Sequence, residues 1–280
     1  MNTSIKKTVI AGIVILLTLS CVQRNWEYYF LKGVDHFQNN SYELAIRNFT
    51  RAIALNSENA DIYLGRGLSH NRLSQYELAI ADFTLALKFI NDDNRRSILY
   101  FNRGMNYLSL NKYDRAILDF KISIEFNPNP VEPYLRLADI YDRQENWYMS
   151  AKYLSKAISI DPFGRTYFLR GVNFVNLNRY KEAIEDFSAA IELGYNSEYV
   201  YFYLSGIYGS VLGNLTATVQ VLNKGIELNP NSTKLLWMRG LLHNHLGSIE
   251  KAIADFKRAT ELGDEEAREV LRDDFGIENW

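Results

Sequence analysis

Small and bulky apolar residues recur along this chain at a fixed spacing. A glycine at 33 is followed twelve residues later by Ala45, then by Phe49 and Ala52. The same set returns at Gly67, Ala79, Phe83 and Ala86, and at Gly104, Ala116 and Phe120 with Ser123 in the last place. It continues at Ala138, Ser150, Leu154, Ala157 and at Gly171, Ala183, Phe187, Ala190. A weaker copy follows at Gly206, Thr218, Leu222, Gly225, and a clear one at Gly240, Ala252, Phe256, Ala259. A period near 34 residues marks a stacked repeat array. Within each copy the spacing fits two antiparallel helices, with small residues where the backbones approach and one large side chain wedged between them. One such pair cannot bury its apolar face alone, so neighbours must stack into a continuous core with capped ends.

Counting each copy from its first residue, the small residue is position 8, and the later three are positions 20, 24 and 27. The repeats run over 26–59, 60–93, 97–130, 131–163, 164–197, 199–232 and 233–263. Three extra residues fall in the polar run 91–96. Position 15 is Asn40, Ser74, Asn111, Glu145, Asn178, Gly213 and Gly247, mostly types that suit the left-handed residue ending a helix. Residues 264–274 (DEEAREVLRDD) predict a polar capping helix within a closing segment 264–280, in which Phe275, Ile277 and Trp280 are free to fold back. Repeats 4 and 6 depart most from the pattern.

Position 7 is Arg66, Arg103, Arg170 and Arg239 in repeats 2, 3, 5 and 7, and in those same repeats position 23 is Asp82, Asp119, Asp186 and Asp255. Elsewhere neither appears: the pairs are Lys32 with Asn48, Leu137 with Tyr153, and Ser205 with Val221. Unpaired charge near a hairpin interface is costly, so an Arg–Asp contact between the two helices of each such repeat is expected.

These residues resemble the tetratricopeptide repeat, which has small residues at positions 8, 20 and 27, a bulky one at 24, an aromatic near 17 (here Tyr42, Tyr76, Tyr113, Trp147 and Tyr180) and often proline at 32 (Pro128, Pro162, Pro230). The resemblance covers residues 26–264. It implies an all-α, right-handed superhelical solenoid of about seven helix pairs, whose first helices line a concave surface that binds a protein or an extended peptide. On that surface it would place the position 5 residues Phe30, Leu64, Phe101, Phe168, Tyr203 and Trp237, with Met105 at position 9. Repeat 4 interrupts this apolar strip with Arg136, Asp139, Asp142 and Arg143. The lysine and asparagine that grip chaperone C-termini in this family are missing at positions 5 and 9, so that carboxylate clamp is not expected.

Residues 1–20 have another character. Lys6 and Lys7 precede an uncharged stretch from Val9 to Leu19, too short for a bilayer span of about 20 residues and of export-signal length. The only cysteine, Cys21, follows Ser20, and Leu17–Cys21 resembles a lipobox, although Thr18 stands where leucine is usual. The expectation is a lipid on Cys21 behind a short tether over 21–25, attaching an exported protein to the outer membrane or periplasmic side of a bacterial envelope. The alternative is an uncleaved anchor in the inner membrane.

The remaining composition removes function classes. Net charge is −2 with no basic stripe, which argues against nucleic acid. A single cysteine rules out an internal disulfide and a thiolate metal site. His36, His70 and His243 sit at position 11, held by Tyr107, Tyr141 and Phe174 in repeats 3 to 5, and His243 and His245 point apart on a helix. No metal, cofactor or catalytic constellation is expected. The reading is a non-catalytic scaffold for assembling an envelope complex, or alternatively a recruiting subunit for an envelope enzyme such as one acting on peptidoglycan.

Overall fold

The computed structural model describes residues 25–277; the expected export signal over 1–20, Cys21 and Trp280 lie outside them. The described residues form fifteen α-helices and no strand. They divide into two compact units, with the boundary between Pro133 and Tyr134.

The first unit holds three hairpins: α1 (Trp26–Gln38) with α2 (Tyr42–Leu55), α3 (Ala60–Arg72) with α4 (Tyr76–Ala86), and α5 (Asp93–Ser109) with α6 (Tyr113–Phe126). The second begins within the first turn of α7 (Glu132–Arg143) and continues through α8 (Trp147–Ile160), α9 (Gly164–Asn176), α10 (Tyr180–Glu192), α11 (Glu198–Gly206), α12 (Leu215–Leu228), α13 (Thr233–His245), α14 (Ile249–Glu261) and α15 (Glu265–Asp273). Inside each unit successive helices pack on one another, and α1 reaches α3 as α11 reaches α13. Contact with neighbours alone is the mark of a repeat stack.

The hairpin turn is the same device throughout. Position 15 is left-handed in all seven repeats, with φ between 55° and 72°. In repeats 1 to 5 and 7 the next residue's N–H reaches back to the position 11 carbonyl, as in Ser41 to His36 at 2.8 Å and Ser248 to His243 at 2.8 Å. That six-residue closure satisfies a carbonyl the helix end would orphan. Repeat 6 differs. Its first helix ends in a π-helical turn, Ile207–Val211, and Asn214 N–H bonds the Tyr208 carbonyl at 2.8 Å, one residue earlier in frame.

Packing explains the small residues. Phe49, Phe83, Phe120, Phe187 and Phe256 are at most 1% exposed. A methyl built on Gly171 would lie 2.7 Å from the Phe187 ring. Repeat 4 solves the same problem differently, setting Ala138 against the smaller Leu154, both buried. In repeat 6, Tyr201 is buried at position 3, and glycine replaces alanine at 225, where a Cβ would lie 2.7 Å from Tyr201 Cβ.

Of residues 91–96, Asn91 and Asp92 lie in the link that follows α4, and 93–96 lengthen α5 at its start. Asp92 caps α5 by accepting from Arg95 N–H at 2.8 Å, and α5 runs to 17 residues. At the C-terminus Asp264 caps α15 in the same way, and Phe275 and Ile277 join the Phe256 cluster, with Phe275 6.0 Å from Phe256 between ring centroids.

Candidate functional site

The Arg and Asp residues of repeats 2, 3, 5 and 7 meet between their two helices. Arg66 donates from Nε and Nη2 to Asp82 at 2.9 and 2.7 Å. Arg103 bonds Asp119 at 2.8 Å twice, Arg170 bonds Asp186 at 2.8 and 2.6 Å, and Arg239 bonds Asp255 at 2.9 and 2.6 Å. This fork-on-carboxylate geometry fixes orientation as well as charge. Burial pushes the Asp186 carboxyl above its ordinary range while Arg170 pulls it down. The Asp119 and Asp186 hydrogen bonds raise the arginines Arg103 and Arg170.

A third bond at each arginine was not foreseen. The remaining guanidinium nitrogen donates to position 25 of the preceding repeat: Thr50 at 3.1 Å, Thr84 at 3.1 Å, Ser155 at 2.9 Å and Asn223 at 2.8 Å. Each arginine therefore ties a hairpin internally and to its predecessor. Where the pair is absent the same space is filled otherwise: Tyr153 stacks on Tyr141 at 5.6 Å, and Ser205 turns back to the Phe202 carbonyl at 2.9 Å. His70 and His243 flank the same carboxylates, 3.9 Å from Asp82 and 4.0 Å from Asp255.

The position 5 side chains are half-buried in the stack. Phe30, Phe101, Phe168 and Trp237 lie 6.0, 5.7, 5.9 and 5.3 Å from the position 24 phenylalanine of their own repeat. Tyr203 stacks on Phe187 of the repeat before it, and Leu64 packs on the cluster around Phe83. These residues hold helices together, leaving only part of each surface to solvent. Met105 is half-buried as well.

The interrupted repeat is different. Arg136, Asp139, Asp142 and Arg143 of α7 line a cavity of about 450 Å³ that extends to α8 and α9. Arg143 Nε donates to Asp139 at 3.1 Å. Burial raises the Asp142 carboxyl, Asp139 raises it further, and Arg143 opposes them. From α9 come Arg165 and Asn173, and apolar contact comes from Leu135, Phe163 and Leu169. Asn173 is 1% exposed; its Nδ2 donates to Ser150 Oγ at 2.7 Å, and its Oδ1 has no partner. A buried amide end without a partner is uncommon in a folded protein. Sequence reasoning named the four α7 residues but missed Arg165 and Asn173. A signal existed: Ser150 stands at position 20, where five repeats have alanine.

Comparison with known proteins agrees with this architecture. Tetratricopeptide repeat models match residues 30–94, and 98–130, 131–163, 164–193 and 233–262. Anaphase-promoting complex subunit 3 of Schizosaccharomyces pombe is 25% identical over 139 residues, 49% of this chain but 21% of that protein, so the chain spans about a fifth of its length. The C-terminal part of a TPR repeat-containing protein from Cytophaga hutchinsonii superposes with a TM-score of 0.74 at 19% identity, over 86% of this chain and 99% of that one. YrrB, described as a TPR protein with an unusual peptide-binding site, gives 0.58 at 20% identity, over 68% and 97%. Matched along most of its described length and built of the same hairpins, the chain belongs to the tetratricopeptide repeat family.

Proposed function

We propose that this protein is a non-catalytic scaffold that holds another protein through an extended peptide segment, and that it works in a bacterial cell envelope. The observation that carries the binding role is the cavity on repeats 4 and 5. It gathers five charged side chains and a half-used buried amide on one side of the stack, with an apolar wall beside them. Charged and polar groups gathered beside an apolar wall in a concavity are the make-up of a ligand site. Repeat proteins of this family serve as interaction scaffolds, and YrrB carries a peptide site on a comparable stack.

The envelope role rests on the sequence of residues 1–25: a basic start, a short apolar core, and Cys21 as the lipid-bearing residue. One acyl chain binds a bilayer only marginally, and several hold a protein there almost permanently. The full chain, expressed in a bacterial host with labelled palmitate, should carry label that Cys21→Ser removes. Cross-linking in intact cells should then capture one partner, and Arg136→Gln with Arg165→Gln should lower its yield. Label that survives Cys21→Ser sinks the anchor, and an unchanged partner yield sinks the proposed binding face.

A further inference from the structure

We infer that the cavity of α7, α8 and α9 recognises an extended peptide segment whose acidic and basic side chains lie about three residues apart. This rests on the scaffold reading above and specifies the chemistry of its partner.

The order of charge along the two first helices carries the inference. Arg136 precedes Asp139 by three residues and Asp142 by six, so the cationic and acidic ends of α7 are about 9 Å apart along its axis. Because hairpins alternate direction, α9 runs parallel to α7. Its Arg165 lies at the same end as Arg136, and Asn173 lies eight residues further on, at the acidic end. Two arginines thus stand at one end of the cavity, and Asp142 stands at the other, beside the Asp139–Arg143 ion pair and the open oxygen of the Asn173 amide. Among the described residues neither Arg136 nor Arg165 has an ion-pair or hydrogen-bond partner, whereas most arginines of this chain do.

A ligand that satisfies both ends must be amphoteric, with its charges about 9 Å apart. An extended chain advances about 3.3 Å per residue, so three residues span that distance. A free amino acid is too short to bridge it. A polyanion such as a nucleic acid strand would meet Asp139 and Asp142, and an apolar amphipathic helix would bury the arginines unpaired. The orphaned Asn173 amide points the same way. The open atom is Oδ1, an acceptor, so a backbone N–H of an extended segment would complete it. Phe163, 62% exposed, and Leu169, 39% exposed, supply apolar contact for the intervening side chains.

The test uses the full chain in detergent and an array of acetylated, amidated peptides. Each peptide carries one glutamate and one lysine separated by zero to five variable positions, with glutamate-only and lysine-only peptides alongside. Retention should peak at two intervening residues. Arg136→Gln with Arg165→Gln should weaken it about tenfold or more, and Asp142→Asn should do the same through the lysine. Asp142→Asn should lose nothing further on a peptide whose lysine is already glutamine. All three side chains are solvent-accessible, so helicity by circular dichroism should be unchanged. Retention that ignores spacing or charge, or that survives these substitutions, overturns the site. If cells still yield a cross-linked partner insensitive to them, the scaffold survives and only the site fails. If no peptide is retained and no partner is captured, both fall.

Discussion

Replacing Arg170 with leucine leaves Asp186 between two helices with nothing to balance it. The aspartate side chain is 5% exposed and the arginine 18%, and the arginine makes three hydrogen bonds, two to Asp186 and one to Ser155. Breaking a buried pair from one side costs about 3–5 kcal/mol. Because the guanidinium is still partly wet, the lower end applies, about 3 kcal/mol, or roughly 6–12 °C in Tm for a chain of this size. Replacing both residues with leucine removes the stranded charge as well, so the double variant should recover most of the loss, with a coupling near 2 kcal/mol.

The pH dependence has a definite sign. Burial already raises Asp186, and Arg170 opposes it. Without the arginine the folded protein holds the carboxyl proton more tightly than the unfolded chain does. Stability of the single variant should therefore fall as pH rises from the ordinary carboxylate range toward neutrality, and its deficit should be smaller at pH 5 than at pH 7. Urea unfolding followed by circular dichroism at both pH values, across the four members of the cycle, measures this. A loss below about 1 kcal/mol for the single variant, or strict additivity in the cycle, would falsify the view that these pairs fasten the stack.

Three further outcomes follow from the packing. Gly171→Ala should cost about 1–3 kcal/mol by pressing on Phe187, and adding Phe187→Leu should recover part of it, as Ala138 and Leu154 do in repeat 4; a double variant worse than either single one would refute this. Glu145, left-handed at φ 55°, should give about 1 kcal/mol on replacement by glycine, read as a rise of about 2 °C in Tm. Burial lowers His243 against the pull of Asp255, so the folded state resists its protonation and stability should drop as pH falls below the ordinary histidine range; His243→Phe should flatten that drop in urea titrations between pH 7 and 5.

How much of this was legible in the sequence depends on whether a feature repeats in phase. Gly171 against Phe187, the left-handed residue at position 15 and the Arg–Asp pairs each recur at fixed spacing, and a contact inside one hairpin can recur only if both partners do. The third arginine bond was hidden because its acceptor varies among threonine, serine and asparagine and belongs to the previous repeat. What these share is a short side chain with an oxygen, a chemical regularity without a residue identity. The π-turn of α11 and the 17-residue α5 were hidden for another reason. The π-turn leaves the apolar positions in step, so a period does not report it, and the three extra residues of repeat 3 showed as a longer interval without showing that they lengthen a helix. The cavity on repeats 4 and 5 sits where the pattern fails. Leu137 and Tyr153 replace the ion pair, Leu154 replaces phenylalanine, and Ser150 replaces alanine beside the buried Asn173. A repeat array stays folded because its neighbours are alike, so a repeat that departs at several core positions and also gathers charge into a concavity is where the proposed ligand would bind.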